Sequence, residues 1–186
     1  IIWMAEGRKY EEVVLMTASL ARLLRQSISN EDEVVPLARE VEYAKGYLTI
    51  QKMRYKDKLE FEIDVEPSIL NIPLIKLVLQ PIIENAIYHG LKYKESKGLL
   101  QVKGFMKDGN AVLQVIDNGV GMDEETLSHI YDKHKVNYHS NGVGVYNVQK
   151  RLKLYYGENY GITYESEKGV GTTATIIIPG IQEESI

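Results

Sequence analysis

The stretch that most constrains this chain is Leu79-Gln80-Pro81-Ile82-Ile83-Glu84-Asn85-Ala86-Ile87-Tyr88-His89-Gly90. Its apolar run predicts a helix that must be buried. Glu84, Asn85 and His89 are costly in such a place unless they find partners. Asn85 and His89 stand four residues apart and so share one helix face. An Asn oxygen is a suitable hard ligand for magnesium, which takes few protein ligands and fills its shell with phosphates and water. His89, near the helix end, could reach a phosphate. The same three residues could equally form a polar network that stitches helix to sheet, and the stretch alone does not choose.

The surrounding pattern supplies the rest of the fold. Residues 10 to 28 read as a helix, with Val13, Met16, Leu20, Leu23 and Leu24 near a 3.6 period. After a polar break at Asn30-Glu31-Asp32-Glu33, a second helix is predicted to start near Pro36, a residue suited to a first helical turn. It carries Leu37, Val41, Ala44, Leu48 and Met53. The pair reads as a packing or interface element, since its polar faces mix charge signs in a way that does not suit a membrane surface. From Lys58 the period changes: Leu59, Phe61, Ile63 and Val65 alternate with acidic residues, as in a half-exposed strand. Residues 74 to 89 are predicted as a helix interrupted by Pro81. Residues 99 to 106 and 111 to 117 read as an antiparallel pair turning at Asp108-Gly109-Asn110. A short helix over 124 to 131 starts from Asp123, and 132 to 141 is a polar segment. A helix over 143 to 156 has Val145, Val148, Leu152 and Tyr155 on one face, and strands at 161 to 166 and 172 to 178 flank a glycine turn. The order predicts an α/β (α+β) two-layer sandwich. Its sheet is mixed and mostly antiparallel, with helices on one face and further helices at the N-terminus.

Composition narrows the function classes. At 186 residues the chain holds one substantial domain and a helical extension. A net charge of −4 argues against broad nucleic-acid binding, which needs a basic face. The absence of cysteine excludes disulfides and thiolate metal sites. No apolar run approaches the roughly 20 residues that span a bilayer. The first residues, Ile1-Ile2-Trp3-Met4-Ala5, carry no leader and no initiator Met, so the chain reads as the interior of a longer protein.

Three further pieces carry chemistry. Val115-Ile116-Asp117-Asn118-Gly119-Val120-Gly121-Met122 delivers a carboxylate at a strand end and follows it with two glycines. A carboxylate accepts hydrogen bonds of the kind that the exocyclic amine of adenine donates, and the glycines let backbone pass close to a flat ring. The plainer reading is an Asp-Asn-Gly turn. Asn141-Gly142-Val143-Gly144 opens a helix whose free N–H groups and dipole suit phosphates. Gly169-Val170-Gly171-Thr172-Thr173-Ala174-Thr175 is a hairpin turn entering a strand, or one wall of a pocket in which a Thr hydroxyl supports a base.

In this order and spacing, the four pieces resemble the ATP site shared by DNA gyrase, mismatch-repair ATPases, heat-shock chaperones and histidine kinases, from about Ile72 to Pro179. The segment from Glu40 to Tyr55, together with Leu79 to Ala86 and Gly144 to Leu152, is similar to the sensor histidine kinases of the LytS/YesM type. The resemblance implies an ATP-binding catalytic domain at 34–186, preceded at 1–33 by a remnant of a helical dimerisation and histidine-acceptor region with its linker. It implies ATP and Mg2+ as cofactors. The γ-phosphoryl would go to a histidine outside this chain and then to an Asp on a response-regulator receiver domain. The full-length protein would be a homodimeric bacterial membrane receptor with this region in the cytoplasm. Among residues, the resemblance implies Asp117 reading adenine and Asn85 holding magnesium. Gly119, Gly121, Gly142 and Gly144 would shape the base and phosphate walls, with His89 and Lys92 near the phosphates. Glu84 would orient the attacking imidazole, and Thr172 and Thr173 would stand at the pocket wall. The chain departs from the family in lacking a Pro-His-Phe segment. Its four histidines, His89, His129, His134 and His139, all lie beyond the N-terminal helices, so none is assigned as acceptor and the fragment is expected not to autophosphorylate. The stretch from Met122 to Asn141 lacks the Phe of many kinase lids and is expected to be disordered without nucleotide. His134 and His139 within it are expected to be solvated. Alternative readings are an ATPase or protein-serine kinase of the same superfamily, or an interaction module that needs no nucleotide.

Overall fold

A computed structural model of the chain describes residues 33–130 and 142–180, together with positions 5–8, 10, 11, 13, 14, 16–18 and 21. Positions 10, 11, 13, 14, 16–18 and 21 are helical, in line with the predicted first helix, and Val13 and Met16 are its half-buried members. Leu20, Leu23 and Leu24 lie outside the described residues.

Strand β1 (Val34–Pro36) leads into helix α1 (Leu37–Tyr55), with Pro36 at the position before its first turn. The apolar positions at helical spacing, Leu37, Ala44 and Leu48, are buried. Strand β2 (Leu59–Val65) follows, then β3 (Pro73–Ile75), helix α2 (Leu79–Asn85) and a π-helical turn (Ala86–Leu91). The hairpin β4 (Gly98–Lys107) and β5 (Asn110–Asp117) comes next, then α3 (Glu124–Ser128), α4 (Gly142–Tyr156), β6 (Gly161–Glu167) and β7 (Gly171–Pro179).

The five-stranded sheet has the order β2-β4-β5-β7-β6, and every neighbouring pair is antiparallel except β2 with β4. Alternate residues of its strands, among them Leu100, Val102, Leu113, Val115, Ala174 and Ile176, form one core with Leu48, Leu79, Ile83, Val148 and Leu152 of the helices. Residues between them, such as Lys103, Gln114 and Glu165, face the other way. This is the predicted two-layer sandwich with helices on one face.

Three predicted details are corrected. Residues 74 to 89 are not one helix. Residues 73–75 form β3, which pairs antiparallel with β1, and the helix starts only at Leu79. Pro81 therefore sits in the first turn, where its missing N–H interrupts nothing. In α4 it is Tyr156, not Tyr155, that turns inward: its hydroxyl accepts the Ile75 N–H at 3.2 Å and donates to the Pro73 carbonyl at 3.1 Å. Tyr155 is exposed. The helix after Asp123 is Glu124–Ser128, shorter than predicted. The Asp123 side chain caps it by accepting the Thr126 N–H, and the polar segment 132–141 lies outside the described residues.

Candidate functional site

Inward-facing positions on β5 fall at Ala111, Leu113, Val115 and Asp117, so the pleat that buries three apolar side chains also buries a carboxylate at the strand end. Asp117 is 6% exposed. Burial pushes its carboxyl up to about 6, against the opposing influence of the Gly119 N–H, the nearby Lys94 ammonium and the Thr172 N–H. The Gly119 N–H donates to Asp117 Oδ1 at 2.8 Å.

The loop after Asp117 is pinned from both sides. Asn118 exchanges hydrogen bonds with Leu99, its N–H donating to the Leu99 carbonyl at 3.2 Å and its Oδ1 accepting the Leu99 N–H at 2.8 Å. The Lys94 ammonium donates to the Asn118 carbonyl. The Val120 N–H donates to the Gly90 carbonyl at 3.1 Å, and the Gly169 N–H donates to the Val120 carbonyl at 2.7 Å. Such close approach needs glycine. A Cβ on Gly119 would lie 2.4 Å from the Gly90 carbonyl carbon, and one on Gly90 would lie 2.6 Å from Asp117 Oδ1. Gly121, at φ +63, would set a Cβ 1.9 Å from the Glu167 carbonyl oxygen.

The facing wall is α2 and its π turn. Ile82, Asn85, Ala86, His89 and Gly90 line a cleft whose other side is Val115, Asp117, Gly121, Met122, Tyr164, Thr172 and Ala174. Asn85 and His89 do share the cleft face, as their spacing predicts. The π turn, visible in the Lys92 N–H reaching the Ile87 carbonyl at 2.8 Å, widens the helix where His89 and Gly90 meet the loop. Desolvation and then the Lys92 charge hold the His89 imidazole below its ordinary value. On the far wall, the Ser166 hydroxyl accepts the Met122 N–H at 2.8 Å and lies 2.9 Å from both the Gly171 carbonyl and the Thr172 hydroxyl. The result is a largely apolar slot with one carboxylate at its floor and an amide and an imidazole at its rim. That arrangement suits a flat, N–H-donating ring that carries a charged tail.

Not every predicted site residue comes to this slot. Glu84 accepts from Gln80 Nε2 at 2.8 Å and lies beside Tyr47, on the side of α2 away from the cleft. Thr173 is on the outer sheet face with Gln101, Ile116 and Glu165, because consecutive strand residues point to opposite sides. Lys92 is exposed, its ammonium 5.5 Å from the Tyr93 ring centre, and Lys94 is the lysine that reaches the loop. Gly142 is the first residue of α4, and Gly144 packs at the start of that helix, where a Cβ would stand 3.3 Å from Pro81 Cβ. Among the described residues no group of three or more His, Cys, Asp or Glu could hold a metal ion. Asn85, Thr172 and Tyr164 are the cleft residues with neutral side-chain oxygens.

Sequence reading missed Lys94 and Gly90 as a contact of Asp117, and it placed Gly171 at a pocket wall without showing what it approaches. Gly171, at φ +145, would bring a Cβ within 2.1 Å of the Asp117 carbonyl oxygen. The glycines were visible as glycines, but only the fold shows what each must approach.

The chain belongs to the Histidine kinase-, DNA gyrase B-, and HSP90-like ATPase family, which it matches over residues 71–182. Residues 1–59 match the Histidine kinase family. The chain is 31% identical to the sensor histidine kinase YesM of Bacillus subtilis, over 96% of its own length and 30% of that protein. To the sensor protein LytS of Oceanobacillus iheyensis it is 34% identical, over 75% of its own length and 24% of that protein. It therefore spans under a third of the length of these relatives. In fold it is similar to the histidine kinase domain of the Erythrobacter litoralis blue-light activated histidine kinase, with a TM-score of 0.58 at 16% identity over 90% of this chain and 74% of that one. Among the described residues no helix is long and apolar enough to cross a membrane.

Proposed function

We propose that this chain is the ATP-binding catalytic region of a two-component sensor histidine kinase. The observation that carries the reading is Asp117. It is a buried carboxylate at a strand end, supported by the Gly119 N–H, and it faces Asn85 and His89 across an apolar slot. In this reading Asp117 accepts a hydrogen bond from the exocyclic amine of adenine, and Val115, Ala174 and Ile82 cover the ring. Thr172 and Gly121 shape the wall beside it, and Gly119 holds the carboxylate in place. Asn85, with its hard amide oxygen, would hold Mg2+ as a single protein ligand, and the ion would supply charge neutralisation for the phosphates. His89 would meet the phosphate chain where it leaves the slot, with the exposed Lys92 charge near it, and Gly142 and Gly144 at the start of α4 would offer helix N–H groups to phosphate. Glu84 and Thr173 are given no contact with nucleotide. The chain's own contribution is positioning and electrostatic support.

The phosphoryl acceptor is a histidine outside this chain, and the next acceptor is an Asp of a response-regulator receiver domain. Residues 1–33 are read as part of a helical dimerisation region, and 34–186 as the catalytic domain. The whole protein is read as a homodimeric membrane receptor with this region in the cytoplasm. The test is the melting temperature with and without ATP, each with and without Mg2+. At about 100 times the dissociation constant the gain is about 2.7 kcal/mol. For a domain of this size that is a rise of roughly 5 to 10 °C. The rise should depend on Mg2+ and vanish in Asp117→Asn. A folded wild type that shows no rise would overturn the reading.

A further inference from the structure

We propose that Glu40, on α1, is a positioning residue for the cleft: its carboxylate fixes the start of α2 and with it the placement of Asn85 and His89. The inference deepens the ATP-site reading and rests on it for its meaning, though not for its structural test.

Glu40 is 5% exposed, and with Asp117 it is one of two buried acidic residues among those described. Its Oε1 accepts the Leu77 N–H at 2.9 Å, and its Oε2 accepts the N–H groups of Val78 at 2.9 Å and Leu79 at 3.1 Å. The Val78 and Leu79 groups are among the unpaired donors that any helix start must satisfy, and the Leu77 N–H belongs to the turn just before it. Helix α2 has no side-chain cap of its own, since Val78 occupies the capping position. The cap therefore comes from a different helix, 38 residues away in sequence. The turn that presents the three donors is bent for the purpose. Leu77 sits at φ +60, a conformation unfavourable for a residue with a side chain, and it is exposed, so no packing of its own explains it.

The contact continues along both helices. Glu40, Tyr47 and Gln51 are buried on one side of α1. Gln80, Glu84 and Tyr88 recur every fourth residue on α2 and its π turn, so they share a face. The Tyr47 hydroxyl lies beside Glu84, Tyr88 and Gln51, and Glu84 is itself bonded to Gln80. One position further on, Asn85 and His89 look into the cleft. Apolar packing alone would tolerate a small slide or roll of α2. Directional bonds to a buried carboxylate do not, because any slide leaves donors unsatisfied. Two helix faces thus divide the labour: one is locked to α1, and the other is held at the distance from Asp117 that the slot requires.

The test compares the wild type with Glu40→Gln, which sets an amide against the three N–H donors, and Glu40→Asp, which keeps the charge one methylene short. Val102→Ala, a core change on β4, serves as a control for lost stability. Hydrogen exchange of the nucleotide-free proteins is followed by mass spectrometry. ATP affinity with Mg2+ is measured by calorimetry well below each variant's melting midpoint. In Glu40→Gln, exchange should quicken through 77–91, past the cap and into the π turn, and ATP should bind roughly tenfold more weakly. Glu40→Asp should recover most of both. Val102→Ala should lose stability with ATP affinity unchanged. Faster exchange confined to 77–80, with ATP affinity equal to wild type, would overturn the proposal and leave Glu40 as a stabilising cap only. If Glu40→Gln does not fold, Glu40→Asp carries both readouts, with smaller changes in the same direction expected. If the wild type binds no ATP, the ATP-site reading falls, and the exchange pattern alone decides the role of Glu40.

Discussion

The turn before α2 and the end of β5 each bury one acidic side chain, and they treat it in opposite ways. Glu40 is 5% exposed and gathers three backbone N–H groups from one short turn. Asp117 is 6% exposed and receives the Gly119 N–H, with the Thr172 N–H nearby, but it borders an open slot and its carboxyl is pushed up to about 6. A buried carboxylate with most of its accepting capacity used by backbone N–H groups is an internal fastener. A buried carboxylate with accepting capacity left over, facing a cavity, costs stability that a donor-bearing ligand can return. The two groups look alike in exposure, and only their partners tell them apart.

The sharpest way to break this comparison is to neutralise each group in turn. Glu40→Gln should lower stability in urea by about 2–4 kcal/mol, because charge-assisted bonds to buried donors are lost. Asp117→Asn should leave stability near pH 7 no lower than wild type while abolishing the ATP-dependent rise in melting temperature. Equal losses in both variants would dissolve the distinction.

A pH series sharpens it further. The Asp117 carboxyl is raised from 3.8 to about 6, so between those values the folded state holds more protons than the unfolded state. Stability should therefore fall as pH rises from about 4 to about 6, by up to about 3 kcal/mol, and this part of the profile should be flat in Asp117→Asn. ATP affinity should move the other way and weaken as pH drops below about 6, because a protonated carboxyl is a poorer acceptor. The two lysines give a smaller contrast. Lys94→Ala removes a charge that opposes the rise at Asp117, so carbon-detected titration of Asp117 should show a further rise, of about half a unit. Lys92→Ala should leave that titration unchanged. The smallest effect is at Asp123, exposed and held at about 2 chiefly by Thr126. Asp123→Ala should fray α3 in hydrogen exchange without moving the global midpoint.

How far the sequence could be read follows from which interactions are local. The β4–β5 hairpin and the strand-end position of Asp117 follow from a two-residue period and an Asp-Gly turn, both short-range signals. The start of α2 does not, because Ile69 to Leu79 is apolar almost throughout and shows neither a helical nor a strand period. Its division into β3, a turn and a helix is decided by β1 and by Glu40, more than thirty residues earlier in the chain. Thr172 and Thr173 both looked suitable for a pocket, and the register of β7 against Asp117 decides that only Thr172 faces it. Lys94 was overlooked beside Lys92 because the π turn changes which side chain of that segment returns to the loop. The slot's glycines were legible as a pattern, while their need is set by carbonyl groups from distant strands.

The sheet order also bears on how the protein comes together in time. Asp117 and Thr172 are ladder partners, yet α3, α4 and β6 separate them in the chain, and the parallel pairing of β2 with β4 encloses β3 and α2 in its crossover. Such distant pairings are slow to form because loop entropy is lost before contacts compensate. The slot is complete only when the last of them closes. A nucleotide that recognises the finished slot has little to grip in the folding transition state, so its stabilisation should appear almost wholly as slower unfolding, lengthening the life of the native fold without hastening its birth.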